Sequence, residues 1–253
     1  MRIDTVRFSN HPAHGGFAGG PAPAAEIDEL VDGLAERGFL SQCSAVLSGY
    51  LGTAENGHAV ARAVERVRQA APNTLFVCDP VMGDDPKGLF VRPDIPDVFR
   101  QTLAPVAEIL TPNRFELETL TGMPCGNQAE VLTAAQSLLA GQTQWVVVTG
   151  LGFEPGTIEN VAVSADRQWA VSHPQVDAPA FGAGDTFAAI FLARMLEKRD
   201  VGRAMSLASA SVASILQATE AELALVPAQA AIDAPQNVCL LYTSPSPRDT
   251  NPS

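Results

Sequence analysis

The chain has 253 residues, 46% of them hydrophobic, with a formal net charge of −12 and a mean hydropathy of +0.10. That length suffices for one α/β domain with a sizeable core, and the composition excludes a disordered chain. The acidic balance argues against nucleic acid and anionic membrane surfaces as partners, since both need clustered Lys and Arg, but it leaves room for a nucleotide bound through backbone N–H groups, a few basic side chains and a metal ion.

Short β-rich runs alternate with helical patterns. Residues 5–8 read as a strand. Ile27, Leu30, Val31 and Leu34 follow the i, i+3, i+4, i+7 spacing of an amphipathic helix, with Gly38 as its stop. Residues 45–48 form the next strand, and Ala59, Val60, Ala63, Val64 and Val67 the next helix. Strands follow at 74–78 and 108–110, then a helix carried by Val131, Leu132, Ala135, Leu138 and Leu139, and a strand at 145–148. Residues 161–163 and 169–171 read as a hairpin, and helices over about 184–197 and 201–218 close the pattern. This alternation predicts an α/β fold, a mostly parallel central sheet with helices on both faces, with ligands at the carboxyl ends of its strands. One domain is expected over residues 1–237. Residues 238–253 break the pattern and are rich in Ser and Pro; they are expected to be a non-native or disordered tail without function.

Four cysteines, Cys43, Cys78, Cys125 and Cys239, form no C-x-x-C pair, so neither a zinc site nor a disulfide framework is expected. Cys43 and Cys78 read as core residues. The first residues lack the apolar run of a signal peptide, and no stretch is long enough to span a membrane; a cytoplasmic setting is expected. His11 and His14 read as loop residues, with no third ligand in view for a metal.

The most informative segment is Gly182-Ala183-Gly184-Asp185, which runs into the apolar helical stretch 186–192. Two glycines allow a tight turn with exposed N–H groups, and the helix points its positive end at the same place. A carboxylate at the mouth of an anion site suggests a base for phosphoryl transfer to a hydroxyl. The plain alternative is a turn with Asp185 capping a helix. Asp79-Pro80-Val81-Met82-Gly83-Asp84 follows a strand and puts Asp79 at its carboxyl end, near a metal or nucleotide phosphates, or in a simple sheet-to-loop turn. In Thr111-Pro112-Asn113-Arg114-Phe115-Glu116, Asn113 and Glu116 lie three apart on one helix face. They form either a capping pair or a water-mediated Mg²⁺ site. Ser48-Gly49-Tyr50-Leu51-Gly52 ends a strand in a glycine-bounded turn and is expected to line the substrate cleft, although alone it is a weak signal.

These four segments, in this order, resemble the ribokinase-like superfamily, and within it the pyridoxal (pyridoxine, pyridoxamine) kinases. The opening Thr5-Val6-Arg7-Phe8-Ser9-Asn10-His11 resembles that family's second strand and loop. The resemblance covers residues 4–237 and implies ATP-dependent phosphorylation of the 5′-hydroxymethyl group of vitamin B6 in its salvage. By that likeness Asp185 is the catalytic base and also contacts substrate, and Gly182, Ala183 and Gly184 form the anion hole. Asp79, Thr111, Glu116, Thr149 and His173-Pro174-Gln175-Val176 meet ATP. Glu116, Asp79 and Asn113 hold Mg²⁺ through water, Pro12 and Ala13 stand at substrate positions, and residues 83–89 with Lys87 form a flap over the nucleotide. The likeness also implies a homodimer whose small-molecule partners are ATP and a B6 vitamer. No Walker A sequence is present, so a P-loop kinase is excluded.

The family pattern begins with a strand and helix that this sequence lacks, so an N-terminally truncated chain is expected. Pro12 and Ala13 replace polar substrate contacts of many relatives, and Thr149 replaces a lysine of some. Two rival readings follow: a hydroxymethylpyrimidine kinase of thiamine synthesis, and a weakly active pyridoxal-binding homologue.

Overall fold

The computed structural model describes residues 1–178, 181–236, 238 and 241–242. Strands β1 (Val6–Phe8) and β2 (Gly19–Pro21) form an antiparallel hairpin, followed by α1 (Ala24–Glu36), β3 (Ala45–Ser48), α2 (Ala54–Ala70) and β4 (Leu75–Cys78). A second small hairpin pairs β5 (Gly83–Asp84) with β6 (Gly88–Leu89). Helix α3 (Ile95–Val98) continues through a wider turn at Phe99–Leu103 and a tighter one at Ala104–Val106 into β7 (Ile109–Leu110). Then come α4 (Arg114–Thr121), α5 (Gln128–Ser137), β8 (Trp145–Leu151), β9 (Thr157–Val163), β10 (Gln168–Pro174), α6 (Ala183–Lys198), α7 (Val201–Gln217), α8 (Gln229–Asp233) and β11 (Leu241–Tyr242).

The main sheet has the order β11-β10-β9-β8-β7-β4-β3. It is parallel across β3, β4, β7 and β8 and antiparallel from β8 outward. The α/β class with helices on both faces is as the sequence predicts. The sheet itself is mixed, because the stretch from 157 to 174 returns as a hairpin instead of crossing over through a helix. Leu241–Tyr242, read from sequence as part of a tail, adds an outer strand to β10. Cys239, Leu240 and residues 243–253 of that tail lie outside the described residues.

Period-2 alternation sends side chains to two cores. Phe76, Cys78, Leu110, Val146, Val148, Val161 and Val163 face α2 to α5. Leu75, Val77, Ile109, Val147, Ala162 and Val171 face α6 and α7. Phe76 is fully buried, so its truncation to Ala would cost about 3–5 kcal/mol. Cys78 is buried among these residues, and burial pushes its thiol up to about 12, which makes it an inert core residue. Side chains cap four of the helices: Thr53 for α2, Asn113 for α4, Asn127 for α5 and Asp200 for α7.

The β1–β2 hairpin is tied down over the end of β3. Thr5 Oγ1 donates to the Tyr50 carbonyl, and the fully buried Asn56 donates through Nδ2 to the carbonyls of Thr5 (2.9 Å) and Leu51 (3.0 Å). Arg7 pairs with Glu26. Gly52, at φ 77°, lets the chain pass beneath this hairpin: a Cβ there would lie 2.6 Å from Val6 Cγ1.

Candidate active site

The carboxyl ends of β3, β4 and β7 and the start of α6 converge. Helix α6 begins at Ala183 with Gly182 as its N-cap, at φ 91°, and no side chain caps it. Its first amide groups therefore remain available as donors. Asp185 lies in the first turn of the helix and does not serve as the N-cap, so the simple capping alternative does not apply. Gly49, just past β3, closes on it: a Cβ at Gly49 would sit 3.9 Å from Asp185 Oδ1. A Cβ at Gly182 would sit 3.9 Å from Asp185 Oδ2. Asp185 is thus held between two glycines. Burial raises its carboxyl above the ordinary range, and the nearby His11 draws it back.

Asp79 directly follows β4 and is buried; it accepts a hydrogen bond of 2.9 Å from the Thr111 hydroxyl. Burial, then the charge of Asp185, pushes its carboxyl up to about 7, and the Thr111 hydrogen bond opposes them. Glu116 on α4 is buried too. Oε1 accepts from the Met82 amide (3.1 Å) and Oε2 from the Asn113 amide (2.9 Å). Burial and the neighbouring Asp79 raise Glu116 well above its usual value against these bonds. The charge of Asp185 thus disfavours ionisation of Asp79, and that of Asp79 disfavours ionisation of Glu116.

Asn113 occupies the capping position of the two that the sequence allowed. Its Oδ1 accepts from the Glu116 amide (2.9 Å), and its Nδ2 donates to the Gly83 carbonyl (2.9 Å). It therefore fixes both Glu116 and the base of the β5–β6 hairpin. The Thr111 hydroxyl is engaged by Asp79, so this side chain holds the carboxylate in place. Thr149, midway along β8, is drawn to the same segment, its amide donating to the Pro112 carbonyl (3.0 Å). His173 and Pro174 end β10, with His173 Nδ1 3.1 Å from the Pro174 carbonyl. Burial lowers the His173 pKa. Gln175 N donates to the Gly156 carbonyl, and Val176 follows in the connection toward α6. No distance ties residues 173–176 to the carboxylate cluster. Pro12 lies in the exposed turn Pro12–His14 at the tip of the β1–β2 loop, with Ala13 beside it.

Two contacts of the Phe181 ring were not legible in the sequence. The His11 ring stacks on Phe181, with centroids 4.8 Å apart and planes 16° apart. Lys87 Nζ, from the β5–β6 hairpin, lies 4.5 Å from the centre of the same ring. Phe181 immediately precedes Gly182, so one aromatic ring joins both loops beside the uncapped helix. Ser9 and Asn10 shape the loop that presents His11: Asn10 Nδ2 donates to the Gly16 carbonyl (2.7 Å), and Ser9 Oγ accepts from the Ala18 amide (2.9 Å). His11 stands 174 residues before Asp185, and nothing in its local sequence signals that approach.

Comparison with known proteins agrees with this geometry. Residues 28–226 match the family described as phosphomethylpyrimidine kinase. The chain is 41% identical over 241 residues to a pyridoxal kinase of Rubrobacter xylanophilus, covering 92% of this chain and 83% of that one. It is 39% identical over 244 residues to a pyridoxal kinase of Pseudomonas aeruginosa, at 92% and 84% coverage. Among solved structures, the pyridoxal kinase of Leishmania donovani in complex with ADP and pyridoxamine superposes with a TM-score of 0.88 at 25% identity, over 96% of this chain and 88% of that one. The chain belongs to the phosphomethylpyrimidine kinase family and, within it, to the pyridoxal kinases of ribokinase-like fold.

Proposed function

We propose that this chain transfers the γ-phosphoryl group of ATP to the 5′-hydroxymethyl oxygen of pyridoxal, pyridoxine or pyridoxamine. The observation that carries this reading is Asp185, in the first turn of the uncapped α6, beside Gly49 and close enough to the buried Asp79 for its charge to raise that carboxyl. The relatives named above support the substrate class.

Asp185 accepts the hydroxyl proton as the alcohol oxygen bonds to the γ-phosphorus and the bond to the β-phosphate oxygen breaks, releasing ADP. Its proton affinity, raised above the ordinary carboxylate range, makes it a stronger base than a free carboxylate. The amides of Gly182, Ala183 and Gly184 receive the charge that gathers on the phosphoryl oxygens. ATP meets Asp79, Thr111, Glu116, Thr149 and residues 173–176, and the acceptor alcohol lies toward Pro12 and Ala13, under the loop that presents His11.

Asp79 and Glu116 suit magnesium held mostly by water and phosphate. Among the described residues no group of three or more His, Cys, Asp or Glu closes round one point, which fits an ion that keeps most of its waters. Magnesium, when bound, would neutralise phosphate charge there. Asn113 contributes by holding Glu116. A homodimer of the cytoplasm belongs to the same reading. Among the described residues no helix is long and apolar enough to cross a membrane.

A substrate screen tests the proposal. ATP-dependent phosphorylation of a B6 vitamer is expected; turnover of hydroxymethylpyrimidine but not of any vitamer would replace it with the thiamine-pathway reading.

A further inference from the structure

The antiparallel ladder between β8 and β9 breaks next to the nucleotide segment. Val148 pairs with Val161, but the next pair is Leu151 with Glu159. Two residues of β8, Thr149 and Gly150, therefore stand opposite one residue of β9, Asn160. This is a bulge, and Gly150 adopts the left-handed φ of 71° that it requires. A bulge leaves a backbone donor without its ladder partner, and burying such a donor unpaired would cost free energy.

Asn160 supplies the missing acceptor. Its Oδ1 accepts from the Gly150 amide at 2.8 Å. Its Nδ2 donates to Ser209 Oγ on α7, also at 2.8 Å. Asn160 is 4% exposed and Ser209 1%. A leucine would fill a similar volume without a buried amide, so mere core filling does not explain an asparagine here. Its hydrogen bonds run from α7 to the bulge, and the bulge hands on to the site: Thr149 N reaches the Pro112 carbonyl, and Asn113 Nδ2 reaches Gly83 at the base of the flap hairpin.

We propose that Asn160 is a positioning residue for the nucleotide site. It clamps the β8 bulge so that Thr149 stays bridged to the Thr111–Asn113 segment. The inference rests on the proposed ATP-dependent activity, with Thr149 at a nucleotide-contacting position. Asn160 touches no substrate itself.

The test measures KM for ATP, KM for pyridoxal, kcat and the equilibrium affinity for ADP in Asn160→Ala and Ser209→Ala, each checked by circular dichroism and melting to be folded at the assay temperature. Loss of a buried hydrogen bond predicts a rise of about fivefold to tenfold in KM for ATP and in the ADP Kd for Asn160→Ala. A smaller rise of the same kind is expected for Ser209→Ala, which removes only the anchor. KM for pyridoxal should stay within about twofold. A purely structural role would lower the melting temperature and leave this split absent. If Asn160→Ala does not fold, Ser209→Ala and Asn160→Ser carry the same comparison. Folded variants with unchanged ADP affinity, or with both KM values raised alike, overturn the clamp and leave the kinase reading intact. A wild-type chain that binds ADP yet phosphorylates no vitamer overturns the kinase reading, while the ADP affinities still decide the clamp. No ADP binding by the wild-type chain overturns both.

Discussion

Replacing Asp79 by Asn should make the free protein more stable at alkaline pH while damaging its activity. Asp79 is buried, and its carboxyl is pushed from 3.8 to about 7, first by burial and then by Asp185. A carboxyl with a raised folded-state pKa stabilises the fold fully below its unfolded pKa and loses that contribution as pH rises through the folded value. The window therefore runs from about pH 4 to about pH 7. The rise corresponds to about 4 kcal/mol, at about 1.4 kcal/mol per tenfold change in proton affinity. Asparagine cannot ionise, and its Oδ1 can still accept from the Thr111 hydroxyl that now bonds Asp79 at 2.9 Å. For a chain of this size, each kcal/mol moves the melting temperature by about 2–4 °C. Melting curves of wild type and Asp79→Asn from pH 4 to pH 8.5 should diverge, the variant gaining about 8–16 °C at the alkaline end and little at pH 4. Magnesium with ATP should close the gap by stabilising the wild type alone. A difference that stays flat with pH, or a variant less stable at pH 8.5, would refute the claim that Asp79 is held against its own ionisation.

Asp185→Asn should lower turnover by about 10²-fold or more and leave ADP affinity nearly unchanged, measured by steady-state kinetics and calorimetry. In the wild type, kcat/KM for the vitamer should rise with pH along a limb above the ordinary carboxylate range, since burial raises Asp185; a limb near pH 4 would contradict that environment. At Gly83 a Cβ would lie 2.2 Å from Phe115 Cε1 and 2.9 Å from the Gly88 carbonyl. Gly83→Ala should therefore displace the flap hairpin, costing about 1–3 kcal/mol in melts and raising KM for ATP. Lys87→Ala loses a cation–π contact of about 0.5–1 kcal/mol and should raise KM for ATP about twofold to fivefold, whereas Phe181→Ala should raise both KM values.

The elements legible in sequence were those whose periodicity is imposed by burial on one or both faces. Helix α2 and strands β3, β4 and β8 appear where Val64, Val67, Phe76 and Val147 demanded them. Short pieces without such a pattern were not legible. The strand β2 is Gly-Gly-Pro and pairs with β1 only because the hairpin is tied to Tyr50 and Asn56. The segment Ile95–Val106 changes helical type twice, which no single period describes. At the site, Asp79, Asn113 and Asp185 were visible because each sits beside the Gly or Pro that turns the chain at a strand or helix end, and Glu116 because it stands three residues after Asn113. His11, Phe181 and Asn160 were not, since each acquires its partner from far along the chain: His11 meets Phe181, and Asn160 meets Ser209.

The open front of α6 gives the resting protein an unfinished helix. Thr53, Asn127 and Asp200 do for their own helices what no side chain does for this one, and a cap of that kind is worth about 1 kcal/mol. Its first turn should accordingly fray, with amide protons at 183–185 exchanging quickly in the empty enzyme. A bound phosphate would complete the turn, so that the ligand itself becomes the last piece of secondary structure to be added.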